Sequence, residues 1–287
     1  DILPHEHTTP KAKSDRLDLL RGARANLSAI WGLSLTHGLS DLLVDGSDPD
    51  QAWTDPAGVT HEVWRIVDAD RIAAISAAVA ETPVVIADGH HRYETSLAYR
   101  DERTAADGAP GPAAATLCYV VELTEEQLAV RAIHRLVTGF AGDDLADRLA
   151  EHPGLRAAGT ATADEVRSGS VLDRMDETGS IAVVGGDGTA TLLAVDPGGF
   201  DDSIDDLDSA RLASALDALG PHELTYQHGA DRAQAAVVDG QADWAVLIRP
   251  VTVAAIEANA HARRRMPPKS TFFHPKPLTG IVFRLLD

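Results

Sequence analysis

The sequence predicts a mixed α/β fold in two units, on three observations. A helix-forming stretch, a fully apolar strand and a glycine corner that opens another helix follow one another between Asp70 and Arg103. Two apolar runs, Ile181 to Val184 and Thr191 to Val195, flank Gly185-Gly186-Asp187-Gly188 and read as a hairpin. The chain has 287 residues and is 44% hydrophobic, enough to bury a substantial core in one large or two smaller domains.

Taken in order, Leu17, Leu20, Ala23 and Leu27 recur at helical spacing and predict an amphipathic helix over 14–29. Residues 41–58 are rich in Asp, Pro and Gly and read as a loop with some strand at its edges. Val63 to Val67 is a short strand, Asp70 to Glu81 an Ala-rich helix, and Pro83 to Ala87 a strand buried on both faces. Asp88-Gly89 ends that strand, and a helix runs from His90 to Arg103 before the loop 107–112. Thr116 to Leu123 is a strand, and Thr124-Glu125-Glu126-Gln127 has the form of a helix start. A second unit begins near Gly139. It holds the hairpin, helices over 207–219 and 230–239, a strand over 244–248, a helix from Thr252 to about Arg263, and a last strand over 280–285. The expected division is 1–138 and 139–287.

Charge restricts the partners. Lys and Arg total 25 against 44 Asp and Glu, a formal net charge of −19, so nucleic acid and anionic lipid are repelled and neither is expected as a partner. The single cysteine, Cys118, rules out an intrachain disulfide and a cysteine metal cluster. No apolar run reaches membrane-spanning length, and Asp1-Ile2-Leu3-Pro4 has no signal pattern, so the expected location is the cytoplasm. The interior-looking start suggests that residues precede Asp1 in the natural protein.

The chemistry concentrates at Asp88-Gly89-His90-His91-Arg92. A glycine corner between a buried strand and a helix aims backbone N–H groups outward, and the helix dipole adds positive potential, so the corner suits phosphate. His90, His91 and Arg92 add donors in the first turn, Arg92 with a fork suited to phosphate oxygens. The bland reading makes Asp88 a helix cap and the histidines partners of backbone carbonyls. His5-Glu6-His7-Thr8-Thr9 offers two imidazoles and a carboxylate, without the i, i+4 spacing of a helical zinc pair. Metal ligation, a catalytic or substrate-contacting Glu6, and an ordinary loop all stand. Near the end, Met266-Pro267-Pro268-Lys269-Ser270-Thr271 lacks the glycine cradle of a P-loop. Its prolines fit either a rigid loop presenting Lys269 and Ser270 to a ligand or a turn into the last strand. Gly185 to Gly188 is better explained by the hairpin than by phosphate.

Two segments, Ile86 to Thr95 and Met266 to Gly280, resemble signatures of the bacterial and archaeal DUF1015 family. The opening, from His5-Glu6-His7-Thr8 to Asp15-Arg16-Leu17, and the strand Ala245 to Pro250 also fit, so the resemblance spans essentially the whole chain. The Asp-Gly-His-His-Arg element is similar, more distantly, to the nucleotide motif of the ParB/sulfiredoxin superfamily, which includes ParB-type CTPases, sulfiredoxins and free-serine kinases. The resemblance implies a ParB/sulfiredoxin-like nucleotide-motif domain followed by a second α/β unit. His90 stands where sulfiredoxins carry a reactive cysteine, which argues against their chemistry.

Carried over, the serine-kinase pattern implies ATP or ADP with Mg²⁺ as cofactor and a small hydroxyl substrate such as free serine. Gly89, His90, His91 and Arg92 would hold the nucleotide, with Ser270 and Thr271 added from the later loop. Asp88 would act at the reacting group or its metal, and Lys269 would stabilise the transferring group. Glu6 is the candidate base, the alternative being an acid in a preceding segment. His5 and Thr8 would meet substrate, and the protein ligands of any metal are unknown. Two other expectations stand beside this one: a nucleotide-binding regulator or scaffold without turnover, and a metal hydrolase using His5, His7, His90 and His91.

Overall fold

The apolar strand that anchors the sequence pattern spans Val84–Asp88 in the computed structural model, which describes residues 1–4, 13–140 and 145–287. The chain divides into two compact units, the first comprising 1–128, 257–264 and 275–287, the second 129–256 and 265–274. The expected division at 138/139 treated each unit as continuous, whereas residues 275–287 belong to the first unit.

The first unit begins with β1 (Ile2–Pro4) and α1 (Lys13–Ala23). α1 ends where Arg24 takes a positive φ of 45°, so the helix expected to reach residue 29 stops a turn and a half early. The short strand β2 (Ala25–Asn26) follows. Next comes β3 (Ile30–Ser34), unanticipated as a strand and buried at every position. Then come α2 (Leu39–Leu43), the exposed hairpin β4 (Gln51–Thr54) and β5 (Thr60–Val63), and α3 (Ala69–Glu81). The hairpin turn is held by Asp55, whose Oδ1 accepts from the backbone N–H groups of Ala57 (2.9 Å) and Val59 (3.0 Å), which moves the strand expected at 63–67 upstream. Asp68 caps α3 by accepting from Arg71 N at 2.8 Å.

β6 (Val84–Asp88), α4 (His90–Asp107) and β7 (Cys118–Glu122) complete the site-bearing layer. The sheet order is β1-β6-β3-β7, with β6 parallel to β1 and antiparallel to β3, and β3 parallel to β7. Gly32 makes the close passage of β3 possible: a Cβ there would lie 2.7 Å from Val84 Cγ1 and 3.3 Å from Cys118 Sγ. Leu20, Tyr99, Ala113 and Leu286 form a cluster that packs α1 against α4.

The first unit's long segment ends in a tight turn at Thr124–Leu128 where a helix start was expected, and the second unit opens with β8 (Ala129–Arg131) and β9 (His134–Thr138). α5 (Leu145–Ala150), β10 (Leu155–Ala161), α6 (Ala163–Ser168), α7 (Val171–Thr178) and β11 (Ser180–Val184) follow. β12 (Ala190–Val195) pairs with β11 across the anticipated turn, closed by Gly185 N donating to Thr189 O at 3.0 Å. α8 (Asp208–Leu219), β13 (Glu223–Gln227), α9 (Ala230–Val238) and β14 (Trp244–Leu247) complete an antiparallel sheet of order β10-β12-β11-β14-β9-β13.

Alternation along these strands covers both faces of that sheet. Ala182, Val184 and Leu247 join a cluster with Val166, Met175 and Ala233, from α6, α7 and α9. Ile181, Val183 and Val246 join Leu145, Leu149 and Leu216, from α5 and α8. A strand sandwiched this way must be apolar at every position, and β11 is buried along its length. α10 (Val253–His261) and β15 (Phe272–His274), the latter paired with β8, follow. The chain ends with β16 (Arg284–Leu285), paired with β2 and much shorter than the strand expected from residue 280. Among the described residues no helix is long and apolar enough to cross a membrane.

Candidate functional site

Asp88 is the last residue of β6, and Gly89, at φ 96°, turns the chain directly into α4. The left-handed corner favours glycine for a second reason besides φ. A Cβ at position 89 would sit 2.8 Å from Arg92 Nε, so the bare corner is what lets the Arg92 side chain fold back over it. Gly89 offers no side chain to cap the 18-residue helix.

Arg92 is braced rather than extended. Its Nη2 donates to Asp88 Oδ2 at 2.6 Å, and its Nη1 donates to Ser28 Oγ at 2.9 Å and to the carbonyl of Ala29 at 2.6 Å. From the other side, Lys276 Nζ donates to Asp88 Oδ1 at 3.0 Å while lying 5.9 Å above the Trp31 ring. Trp31 is the register partner of Asp88 on β3, so the lysine is seated on the indole of the neighbouring strand.

These contacts set the charge of the corner. Burial pushes the Asp88 carboxyl up, but its hydrogen bond with Lys276 and the positive charges of Lys276, Arg92 and His90 outweigh that and hold it below the ordinary aspartate range. Burial lowers Arg92 in turn, Asp88 opposes that, and the nearby positive charge of Arg16 adds to the lowering. Two guanidinium groups that repel each other form a place where an anion lowers the energy of both.

Arg92 also lines a small, open cleft of about 70 Å³. Arg16, Ser28 and Thr116 contribute polar groups, and Leu20 and Leu27 supply an apolar wall. Ser96 Oγ and Thr116 Oγ1, 3.1 Å apart, bring two hydroxyls to the same lining. The cleft thus combines cationic groups, hydroxyls and a hydrophobic surface, the mixture that seats a polar ligand with an apolar part.

The candidates from the sequence fall into three groups. Asp88, Gly89, His90, His91 and Arg92 are together at the corner, His90 buried and His91 half-buried. Lys269, Ser270 and Thr271 belong to the second unit. Lys269 has a positive φ of 61°, Ser270 and Thr271 are buried, and Ser270 Oγ donates to Pro267 O at 2.8 Å beside Ser209 Oγ at 3.0 Å. His5, Glu6, His7 and Thr8 lie outside the described residues. Among the described residues no group of three or more His, Cys, Asp or Glu is arranged to hold a metal ion.

Lys276, Arg16 and Ser28 were not singled out from the sequence. Lys276 carried a signal, because it stands between Pro275 and Pro277 in the same motif as Lys269, but nothing in that motif favours one lysine over the other.

This geometry of a buried strand, a glycine corner and a long helix carrying Asp-Gly-His-His-Arg is that of a mixed α/β family protein. The chain belongs to the family described as "Protein of unknown function (DUF1015)", whose model matches residues 1–218. No curated protein matches it. Among solved structures, a free serine kinase variant in complex with AMP is 14% identical with a TM-score of 0.46, over 95% of this chain and 83% of that one. A conserved hypothetical protein from Pyrococcus furiosus is 13% identical with a TM-score of 0.47, over 99% and 92%. SbnI from Staphylococcus aureus, with a C-terminal truncation, is 12% identical with a TM-score of 0.49, over 99% and 84%.

Proposed function

We propose that this protein is a nucleotide-dependent phosphotransferase acting on the hydroxyl of a small molecule such as free serine. The observation that supports this best is the convergence of Arg92 and Lys276 on the Asp88-Gly89 corner at the start of a long helix, with Arg16 beside Arg92 in a cleft that has an apolar wall. Phosphoryl transfer asks a protein chiefly to position reactants and offset charge.

The nucleotide, ATP or ADP with Mg²⁺, supplies the phosphoryl group when bound. Magnesium usually keeps several waters and takes one or two carboxylates plus phosphate oxygens, so the single carboxylate of Asp88 fits that habit without a preformed cage. Arg92 holds Asp88 in place and itself lines the cleft. Lys276, resting on Trp31, carries a positive charge within reach of both Asp88 and a phosphate group placed at the corner. The N–H groups of the first turn of α4, with His91, complete the anion seat. Glu6 is the candidate base, on the strength of the resemblance.

One observation favours binding without turnover: Asp88 is already engaged by two cations, which suits a nucleotide-sensing regulator. Incubation with ATP, Mg²⁺ and pooled amino acids, followed by phosphorus NMR, separates the two. A new phosphomonoester signal supports the kinase. Tight ATP binding by calorimetry without such a signal supports the regulator, and no binding of ATP or ADP overturns both.

A further inference from the structure

The second unit contains a polar cavity of its own. It is an open cavity of about 300 Å³ between the start of α8 and the loop that leads from β14 into α10. Asp208 and Arg249 form its floor as a closed pair: Arg249 Nε donates to Oδ2 at 2.9 Å and Nη2 to Oδ1 at 2.7 Å, and the backbone N–H of Arg249 donates to Oδ2 at 3.1 Å. Asp208 satisfies most of that guanidinium, and Asp176 and Asp206 add further negative charge beside it.

Arg211 is different. Its side chain is only 10% exposed, yet its ion-pair partner, Asp206 at 2.6 Å, is 89% exposed. A buried guanidinium held by a carboxylate in water gains little from it, because solvent screens the pair and the aspartate keeps its alternatives. The guanidinium has five N–H donors, and the Phe200 ring at 5.8 Å, packed near it, accepts none of them strongly. The first turns of α8 and α10 both contribute to the lining, and both helix starts add positive potential. Asp176 joins Asp206 as a second exposed carboxylate of the lining. The inner wall therefore favours an anion and the exposed part a cation.

From this arrangement we infer that the second unit binds a small zwitterion, a free α-amino acid, by inserting it into the Arg211–Asp206 pair. The carboxylate replaces Asp206 on the Arg211 fork, and the ammonium takes the released Asp206 together with Asp176. Insertion leaves each buried charge with a partner, so the cavity changes its occupant without a change in charge balance. Neither Asp88 nor a nucleotide takes part, so this site stands or falls independently of the phosphotransfer proposal.

The test is ligand-observed NMR of the full chain with the pooled common L-amino acids and no nucleotide, followed by calorimetry with any amino acid that binds. At least one should bind, and the same acid lacking its amino group should bind about tenfold or more weakly, having lost a charge-assisted contact. Arg211→Lys should weaken binding by a similar factor of about ten, and Asp206→Asn should weaken it by a smaller factor, because that carboxylate is exposed. Asp206 is exposed, so the second variant reports on the site even if the first does not fold. Absence of binding to every amino acid overturns the inference. So does equal affinity for the deaminated acid or unchanged affinity in Asp206→Asn.

Discussion

Lys276 and Asp88 are 188 positions apart in the chain, and their charged atoms are 3.0 Å apart. Both side chains are about two-fifths exposed, so the pair adds little to stability, as surface ion pairs generally do. A lysine whose salt bridge stabilises little can leave it cheaply, which is what a cation serving a bound phosphate requires. Lys276→Met should leave the melting temperature nearly unchanged and weaken ATP binding about tenfold, the effect of losing one charge-assisted hydrogen bond. Calorimetry with equal affinity in the two proteins would remove Lys276 from the site.

Arg92 is expected to behave in the opposite way. It satisfies Asp88, Ser28 Oγ and the Ala29 carbonyl at once, and only 22% of its side chain is exposed. Arg92→Ala leaves a half-buried carboxylate and a backbone carbonyl without that partner, a loss of about 2–3 kcal/mol. Arg92→Lys keeps the charge but not the planar fork and should recover part of that stability. Urea unfolding of the two variants measures the difference, and an alanine variant as stable as the parent would show that the brace contributes nothing.

Gly89→Ala tests the corner itself. At φ 96° an alanine is strained by roughly 1–2 kcal/mol. Its Cβ would also push into the Arg92 guanidinium, 2.8 Å away, and displace the brace from Asp88. The expected result is a variant both less stable and impaired in ATP binding, read by thermal melting and calorimetry. Gly38 has a similar φ of 82° with nothing within 4 Å of its Cβ position, so Gly38→Ala isolates the backbone strain from the clash.

How much of this was legible in the sequence depends on the range of the interactions involved. The helix 70–81, the strand 83–87, the glycine corner and the turn at 185–188 are set by local pattern and turn chemistry, and they stand within a residue or two of where the pattern places them. β3 was hidden because Ile30-Trp31-Gly32-Leu33-Ser34 is a strand only by virtue of two long-range neighbours, β6 and β7, while the upstream leucine spacing pointed to a longer helix. β10 and β13 flank the second sheet at its edges, where exposed residues such as Arg156 and Thr225 blur the apolar signal. At the site, the corner was legible because its residues are contiguous. Lys276, Arg16 and Ser28 reach it through tertiary structure, which no spacing rule encodes.

His134 offers a pH prediction in the second unit. It is buried on β9, and its Nδ1 accepts the backbone N–H of Ile248 at 3.3 Å, which requires that nitrogen to be unprotonated. Burial, with the positive charges of Arg135 and His228 adding to it, lowers its pKa from 6.5 to about 4. The unfolded chain therefore binds a proton between about pH 6.5 and 4 that the folded protein refuses, so stability falls with pH across that window. The loss approaches on the order of 3 kcal/mol at its acid end. Asn has an acceptor oxygen close to where Nδ1 stands and does not titrate, so His134→Asn should preserve the bond to Ile248 while removing this contribution. Urea unfolding at pH 7.5, 5.5 and 4.5 is expected to show a shallower decline in the variant than in the parent. Parallel declines in the two proteins would mean that His134 is not the group that refuses the proton.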